Sequence, residues 1–417
     1  MSGLVEEISF PTPQELYVMT HVQLDYHDAF YGIGDVHGDM FALLNALQLT
    51  GCVNIKMQHF KSSAKCWSHE KYATVDVREG AELKDISNTI TWIGGTSVIA
   101  FLGDVFDNRR SAGASKNGVC SWSGTQFQML DILVHLKEEA EKQKGNVIWV
   151  LGNHDIWNVS PVSRGVCSRY GAKEQTCTGN HCSTKDTYTA CENQYFSKEH
   201  RNNVRNYMIK LKAVAVLKIT NGNTHVLALH GGMGKKCDDD CNQSLKKLKT
   251  LVGLKTFEEA NKEQPKELST VHMENILKIN ILYLDAIWNK PDNKKHFSHL
   301  EQPYMPTWCR PKKIDNGSEL KAYFGTSKMI KAHDGQKIGA NCNGKYAENE
   351  HQYQKDENDL CFLDVYMSRA FEQGEKKKKE FACIKVYTKE GRMYRQILKK
   401  YEHLNKELEY TSYTNIE

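Results

Sequence analysis

The chain has 417 residues, 40% of them apolar and 25% charged, with a formal net charge of +4. That is enough to bury a substantial core, in one large domain or two ordinary ones. The lysines are scattered among acids, apart from a run at 376–379 flanked by Glu375 and Glu380, so nucleic-acid binding is not indicated. No apolar run approaches the ~20 residues of a membrane span. The first 30 residues hold acids and two prolines in place of a signal-peptide core, so a soluble, cytoplasmic protein without a membrane partner is expected.

Residues 30–33, 97–102 and 146–151 are short apolar runs cut off by glycine, as buried parallel strands are. Each leads into a polar loop, in turn Gly34-Asp35-Val36-His37-Gly38, Gly103-Asp104-Val105-Phe106-Asp107-Asn108 and Gly152-Asn153-His154-Asp155. Loops at the carboxyl ends of such strands are where open α/β sheets gather ligands. Residues 39–49 carry apolar side chains at 40, 43, 44 and 47, the stripe of an amphipathic helix. Residues 125–144 repeat that pattern before Gly145 stops the helix, which makes a βαβ unit.

The polar stretches 52–88 and 159–203 read as insertions and a candidate cap. Residues 211–220 and 225–229 surround Asn221-Gly222-Asn223, a hairpin signal, and the second strand ends at His230-Gly231-Gly232. Residues 235–278 are charged and helix-prone. A second hairpin brackets Lys389-Glu390-Gly391 with strands at 383–388 and 393–398, and 401–417 is a polar tail. Parallel units first and antiparallel hairpins later predict an α/β fold of two packed mixed sheets flanked by helices, four layers in the order α-β-β-α, in a single domain over residues 1–400.

Thirteen cysteines are too sparse for a secreted disulfide scaffold, so most are expected as reduced thiols. Cys167, Cys177, Cys182 and Cys191 cluster, but not at the C-x2–4-C spacing of structural zinc. Free thiols come first for them, then one or two disulfides stapling the insertion, then a metal site that also uses His181.

Divalent metals that activate water for attack on phosphorus are held by a mix of carboxylate, imidazole and amide oxygen, with one carboxylate bridging ions ~3.5–4 Å apart. Asp35 and His37 alternate on a tight loop and can both reach one ion. Asp104 is the natural bridge. Asn153, His230, and His333 in Ala332-His333-Asp334-Gly335 can complete the second ion. A structural role would be the better reading for any one histidine, but His37, His154, His230 and His333 all sit beside Gly or Asp at strand or helix ends.

With these residues the chain resembles the phosphoprotein phosphatases of the calcineurin-like metallophosphoesterase superfamily, and among them the Shewanella-like protein phosphatases. Trp92-Ile93-Gly94-Gly95 leading into 98–107, the segment 147–158 with Trp157-Asn158, and Leu363-Asp364-Val365-Tyr366-Met367-Ser368 also carry the likeness. It spans residues 30–370 and is specific at these islands. The resemblance implies that Asp35, His37 and Asp104 bind one metal and Asp104, Asn153, His230 and His333 the other, as Mn, Fe or Zn. It further implies that His154 is the general acid, with Asp107 holding its ring. An imidazole beside a ligating Asn can indeed reach a leaving oxygen.

The family usually has Asp-Arg-Gly where this chain reads Asp107-Asn108-Arg109-Arg110. Either Arg109 takes the phosphate clamp one position later or the clamp is weakened. Arg310, in Pro306-Thr307-Trp308-Cys309-Arg310, is the second expected arginine, since the guanidinium fork fits phosphate. Asp155 stands where protein phosphatases generally have Glu. The function expected is a metal-dependent phosphomonoesterase acting on phosphoproteins or phosphopeptides, serine/threonine or tyrosine, by direct attack of a metal-bridging water. A nucleotide hydrolase or phosphodiesterase of the dinucleoside polyphosphatase type, and a non-catalytic scaffold, are the alternatives.

Overall fold

Strands that are apolar along their whole length need cover on both faces, and the molecule supplies it by stacking two six-stranded sheets under helices. The structure is a computed structural model. It describes residues 9–36, 38, 40–56, 60–63, 74–77, 89–105, 122–162, 198–234, 236–237, 241–242, 244–256, 268–311, 314, 316–333, 340–343, 350–354, 357–363 and 379–402. With strands labelled in chain order, one sheet runs β15 (His351–Gln352), β18 (Arg392–Glu402), β17 (Lys379–Lys389), β2 (Ala29–Ile33), β7 (Val98–Leu102) and β8 (Asn146–Val150). The other runs β1 (His21–Gln23), β9 (Val216–Asn221), β10 (Thr224–Leu229), β13 (Lys328–Lys331), β16 (Asp359–Leu363) and β14 (Ala340–Cys342). Small ribbons pair β3 (Val53–Ile55) with β6 (Ile90–Trp92), β4 (Phe60–Ser63) with β5 (Thr74–Val77), and β11 (Lys236–Cys237) with β12 (Cys241–Asn242).

The described helices are α1 (Pro13–Thr20), α2 (Met40–Thr50), α3 (Trp122–Lys142), α4 (Asn153–Val159), α5 (Lys198–Lys210), α6 (Ser244–Val252), α7 (Leu268–Trp288), α8 (Lys294–Leu300) and α9 (Gly317–Phe324). Alternation along the strands divides the core into layers. Phe30, Val98, Ala100, Leu102, Ile148 and Val150 meet Leu217, Ile219, Val226, Ala228 and Ile330 between the sheets. Tyr31, Ile33, Phe101 and Trp149 on the outward side join Leu44 and Leu47 of α2 and Leu130 and Leu133 of α3, and Val216 and Leu227 join Met273, Ile276 and Tyr283 of α7. The result is the four-layer α-β-β-α stack read from the sequence.

The parallel register decides where the functional loops emerge. Ile33 pairs with Phe101 and Leu102 with Val150, so β2, β7 and β8 end level with one another. In the other sheet Leu229 pairs with Lys331, which sets His230 and His333 at the same edge.

Several expectations change in detail. Residues 211–215 are not a strand, because α5 runs to Lys210 and β9 begins at Val216. The later hairpin reaches Lys379 and Glu402, so residues 401 and 402 belong to β18 and not to a tail. The stretch 52–88 is not all polar insertion: Cys52 and Val53 are buried, and Val53 pairs with Trp92. At its far end, the stretch 159–203 contributes the first turns of α5.

The cysteines depart from expectation as well, since Cys342 and Cys361 form a disulfide across β14 and β16 and Cys309 is disulfide-bonded, whereas Cys52 and Cys383 are free thiols. Cys167, Cys177, Cys182 and Cys191 lie outside the described residues. No described helix is long and apolar enough to cross a membrane.

Candidate metal centre

Five of the sequence-predicted site residues converge at the common edge of the two sheets. Asp35 follows β2, Asp104 follows β7, Asn153 opens α4, His230 follows β10 and His333 follows β13, and all five are nearly inaccessible to solvent. His37, Asp107 and Arg109 lie outside the described residues.

His230 is the hub. Its Nδ1 lies 2.7 Å from the carbonyl oxygen of Leu102, which fixes that nitrogen as an N–H donor, so that the ring, once it gives up its second proton to an arriving cation, would present the Nε2 lone pair. Around Nε2 stand Asn153 Oδ1 at 3.1 Å, His333 Nδ1 at 3.0 Å and Asp104 Oδ2 at 3.3 Å. A single nitrogen cannot satisfy three such neighbours, two of which are acceptors. Separations of this size are what four donors hold when they share an ion at ~2.0–2.2 Å. Asp104, His230 and His333 meet the same condition as a group, with one ligand atom from each within 4.8 Å of the others.

Electrostatics agree with that geometry. Burial works against a charge on His230, yet the carboxylates of Asp104 and Asp35 outweigh it and carry its pKa up to about 9. His333 is held well below the ordinary histidine value by burial and then by His230 and Arg310. Two buried carboxylates demand positive charge, and a divalent ion would supply it. His333 Nε2 is buried without a hydrogen-bond partner among the described residues. The donor set of carboxylates, imidazoles and an amide oxygen therefore suits divalent metals.

Local backbone is bent to make this cluster. Asp104 and His333 both adopt positive φ, 48° and 65°, at a cost of roughly 1–3 kcal/mol each that the surrounding contacts must outweigh. Gly103, at φ 84°, has no room for a side chain, because a Cβ would lie 2.5 Å from the His230 ring. A Cβ on Gly152 would collide with Asp104.

Asp155 is the keystone that sequence reading noted only as a departure. Its Oδ2 accepts from the backbone N–H of Asp104 at 2.8 Å, that of Gly152 at 2.8 Å and the Trp149 indole at 3.0 Å. Its place three residues after Gly152, the spacing of a capping box, was the available signal. Burial and the facing Asp104 carboxylate still raise its pKa to about 7.

His154 stands on the same short helix, with its backbone N–H donating to Asp104 Oδ1 at 2.8 Å and its Nε2 4.0 Å from Asp104 Oδ2. Trp157 packs its ring edgewise on it at 4.6 Å, and Trp308 packs on Trp157 at 4.9 Å. The His154 carbonyl accepts from Asn158, whose amide oxygen lies 3.0 Å from His200 Nε2 of α5. Arg310 also reaches the centre, donating from Nε to the His333 carbonyl at 3.2 Å.

A family model described as calcineurin-like phosphoesterase matches residues 29–315. Among solved structures, a cold-active protein-tyrosine phosphatase of a psychrophilic Shewanella species is similar at 13% identity, with 96% of this chain and 91% of that chain covered and a TM-score of 0.47. The phosphatase domain of the Legionella effector WipB is similar at 14% identity, over 73% of this chain and 98% of that chain, with a TM-score of 0.36. No curated protein matches the chain.

Proposed function

The chain belongs to the calcineurin-like phosphoesterases, and on that premise we propose that it is a metal-dependent phosphomonoesterase acting on phosphoproteins. The observation that carries the reading is the convergence of Asp104, Asn153, His230 and His333 at contact separations of 3.0–3.3 Å around one nitrogen. Asp104, Asn153, His230 and His333 would hold one ion, and Asp35, His37 and Asp104 a second. Divalent ions bound there supply Lewis acidity and a water that ionises near neutral pH.

The chain's own groups do the rest. His154 would donate a proton to the leaving oxygen from Nε2, and Asp107, by the family resemblance, would orient its ring. Arg310 is anchored through Nε, and its terminal nitrogens, which make no hydrogen bond among the described residues, would fork onto phosphate oxygens; Arg109 would complete the clamp. Asp155 holds the Asp104 loop and the start of α4 in one geometry, which keeps the bridging carboxylate and the acid in register.

The protein substrate is supported by the phosphatase-like motifs around Asp104, Asn153 and Leu363. A nucleotide hydrolase is the second reading, favoured by one observation: Trp308 stays partly exposed beside Trp157 and His154 and offers a face on which a base could stack. Hydrolysis of phosphoserine, phosphothreonine and phosphotyrosine peptides against dinucleoside polyphosphates decides between them. Peptides are expected to have the higher kcat/KM; a nucleotide preferred tenfold or more, about 1.4 kcal/mol in transition-state binding, overturns the protein reading.

A further inference from the structure

At the other end of β10, roughly 17 Å from His230 at ~3.3 Å per residue, a second polar cluster has no role in the reactions above. The register places His21 of β1 beside Lys218 of β9 and His225 of β10 beside Thr220. Together with Met273 of α7 they line a pocket of about 190 Å³, to which the exposed residues Tyr17, Asp25 and Gly222 also contribute.

Lys218 is the anomaly. Only 3% of it is exposed, yet it makes no hydrogen bond or ion pair with any described residue. Burial lowers its pKa to about 8, so the ammonium persists at neutral pH. Asp25, the acid in the lining, is exposed and engaged by Asn221 Nδ2 at 2.7 Å and Gln23 Nε2 at 3.4 Å. The other titratable groups around it are Tyr17, the histidines His21, His225 and, from α7, His272, and Lys328, which adds positive charge near His225. His225 Nδ1 and His272 Nε2 are buried without partners. A buried cation and orphaned ring nitrogens cost several kcal/mol unless something accepts from them.

We propose that this pocket binds a tetrahedral oxyanion, inorganic phosphate or the phosphate group of a small ester, with Lys218 as counter-charge, His225 Nδ1 as donor, and the Thr220 hydroxyl, which meets His21 Nε2 at 2.8 Å, turned to accept from His21 and donate to the anion. The pocket has room for such a group, and Gly222, an exposed residue of its lining, leaves an opening for the rest of an ester.

The test titrates inorganic phosphate into the full-length, metal-loaded protein and reads the imidazole resonances of His225 and His21 together with the melting temperature. A saturable shift is expected in the wild type and in Asp104→Asn, and its loss in Lys218→Met. Lys218→Met should itself melt higher in phosphate-free buffer, since it removes an unpaired buried charge. If that variant does not fold, His225→Leu is expected to weaken phosphate at least threefold, read on His21. In the Asp104→Asn background, glycerol phosphate binding as tightly as phosphate assigns the ester, and binding tenfold more weakly assigns the free ion. No saturable shift in the wild type, an unchanged shift in Lys218→Met, its disappearance in Asp104→Asn, unchanged affinity in His225→Leu, or acetate matching phosphate would each overturn the proposal.

Discussion

β10 carries a histidine at each end, His225 near its start and His230 just past its last residue, and the two behave oppositely. His230 faces Asp104 and Asp35 and its pKa rises to about 9, whereas His225 is lowered to about 3 by burial and then by Lys218. Both rings sit on one strand and burial pushes both downward, more so for the fully enclosed His230 than for the partly exposed His225; His230 nevertheless rises, so the sign of its neighbours decides its chemistry. One end of the sheet collects carboxylates and calls for metal cations. The other collects ammonium and imidazoles and calls for an anion. The difference lies in which loops the register brings alongside.

The comparison breaks most completely if the carboxylates are not what defines the cationic end. Asp104→Asn is expected to abolish turnover and to lose one of two ions, with the fold retained because the amide oxygen can still accept from His154 N–H; full turnover with both ions bound would refute the bridge. His154→Asn should keep both metals and slow alkyl phosphate hydrolysis by about 10²–10⁴-fold, with a smaller loss on activated aryl phosphates, whose leaving group needs no proton. Steady-state rates on both ester classes check this, and equal losses would remove His154 as the acid.

Support of the cluster comes next in size. Asp155→Ala leaves three buried donors unpaired, so unfolding free energy should fall by about 3 kcal/mol or more, at 1–3 kcal/mol per lost acceptor; chemical denaturation measures it. The smallest expected effect sharpens the anionic end. Between pH about 6.5 and about 3 the unfolded chain protonates the residue 225 imidazole and the folded chain does not, so stability falls as pH drops through that window. His225→Leu should flatten that part of the melting curve, and an unchanged slope would show that His225 does not stay neutral.

Much of this was legible in the sequence because glycine ends each buried strand and the ligand loop follows at once. Asp35, Asp104, Asn153, His230 and His333 all fall where the strand and loop reading put them. The hairpin of β17 and β18 was underestimated because its outer residues, among them Lys379, Glu380, Lys400 and Glu402, are charged and read as loop although they continue the ladder. Val53 and Ile55 were hidden in a polar stretch too short to show alternation, and only pairing with Trp92 and Ile90 reveals them. Lys218 was invisible for a different reason. Alternation in Leu217-Lys218-Ile219-Thr220 assigns it to the face away from the inter-sheet core, and nothing local says that α1 and α7 cover that face. The Cys342–Cys361 disulfide depends in the same way on strands 19 residues apart in sequence.

The central claim, that the edge shared by the two sheets is a two-metal phosphoesterase centre, is tested most directly by metal analysis of the purified protein with phosphopeptide hydrolysis measured on the same samples, before and after chelation and in His333→Ala. About two divalent ions per chain are expected, with hydrolysis lost on chelation, restored by Mn, Fe or Zn, and reduced together with metal content in His333→Ala. Undiminished hydrolysis by chelated, metal-free protein would contradict the account.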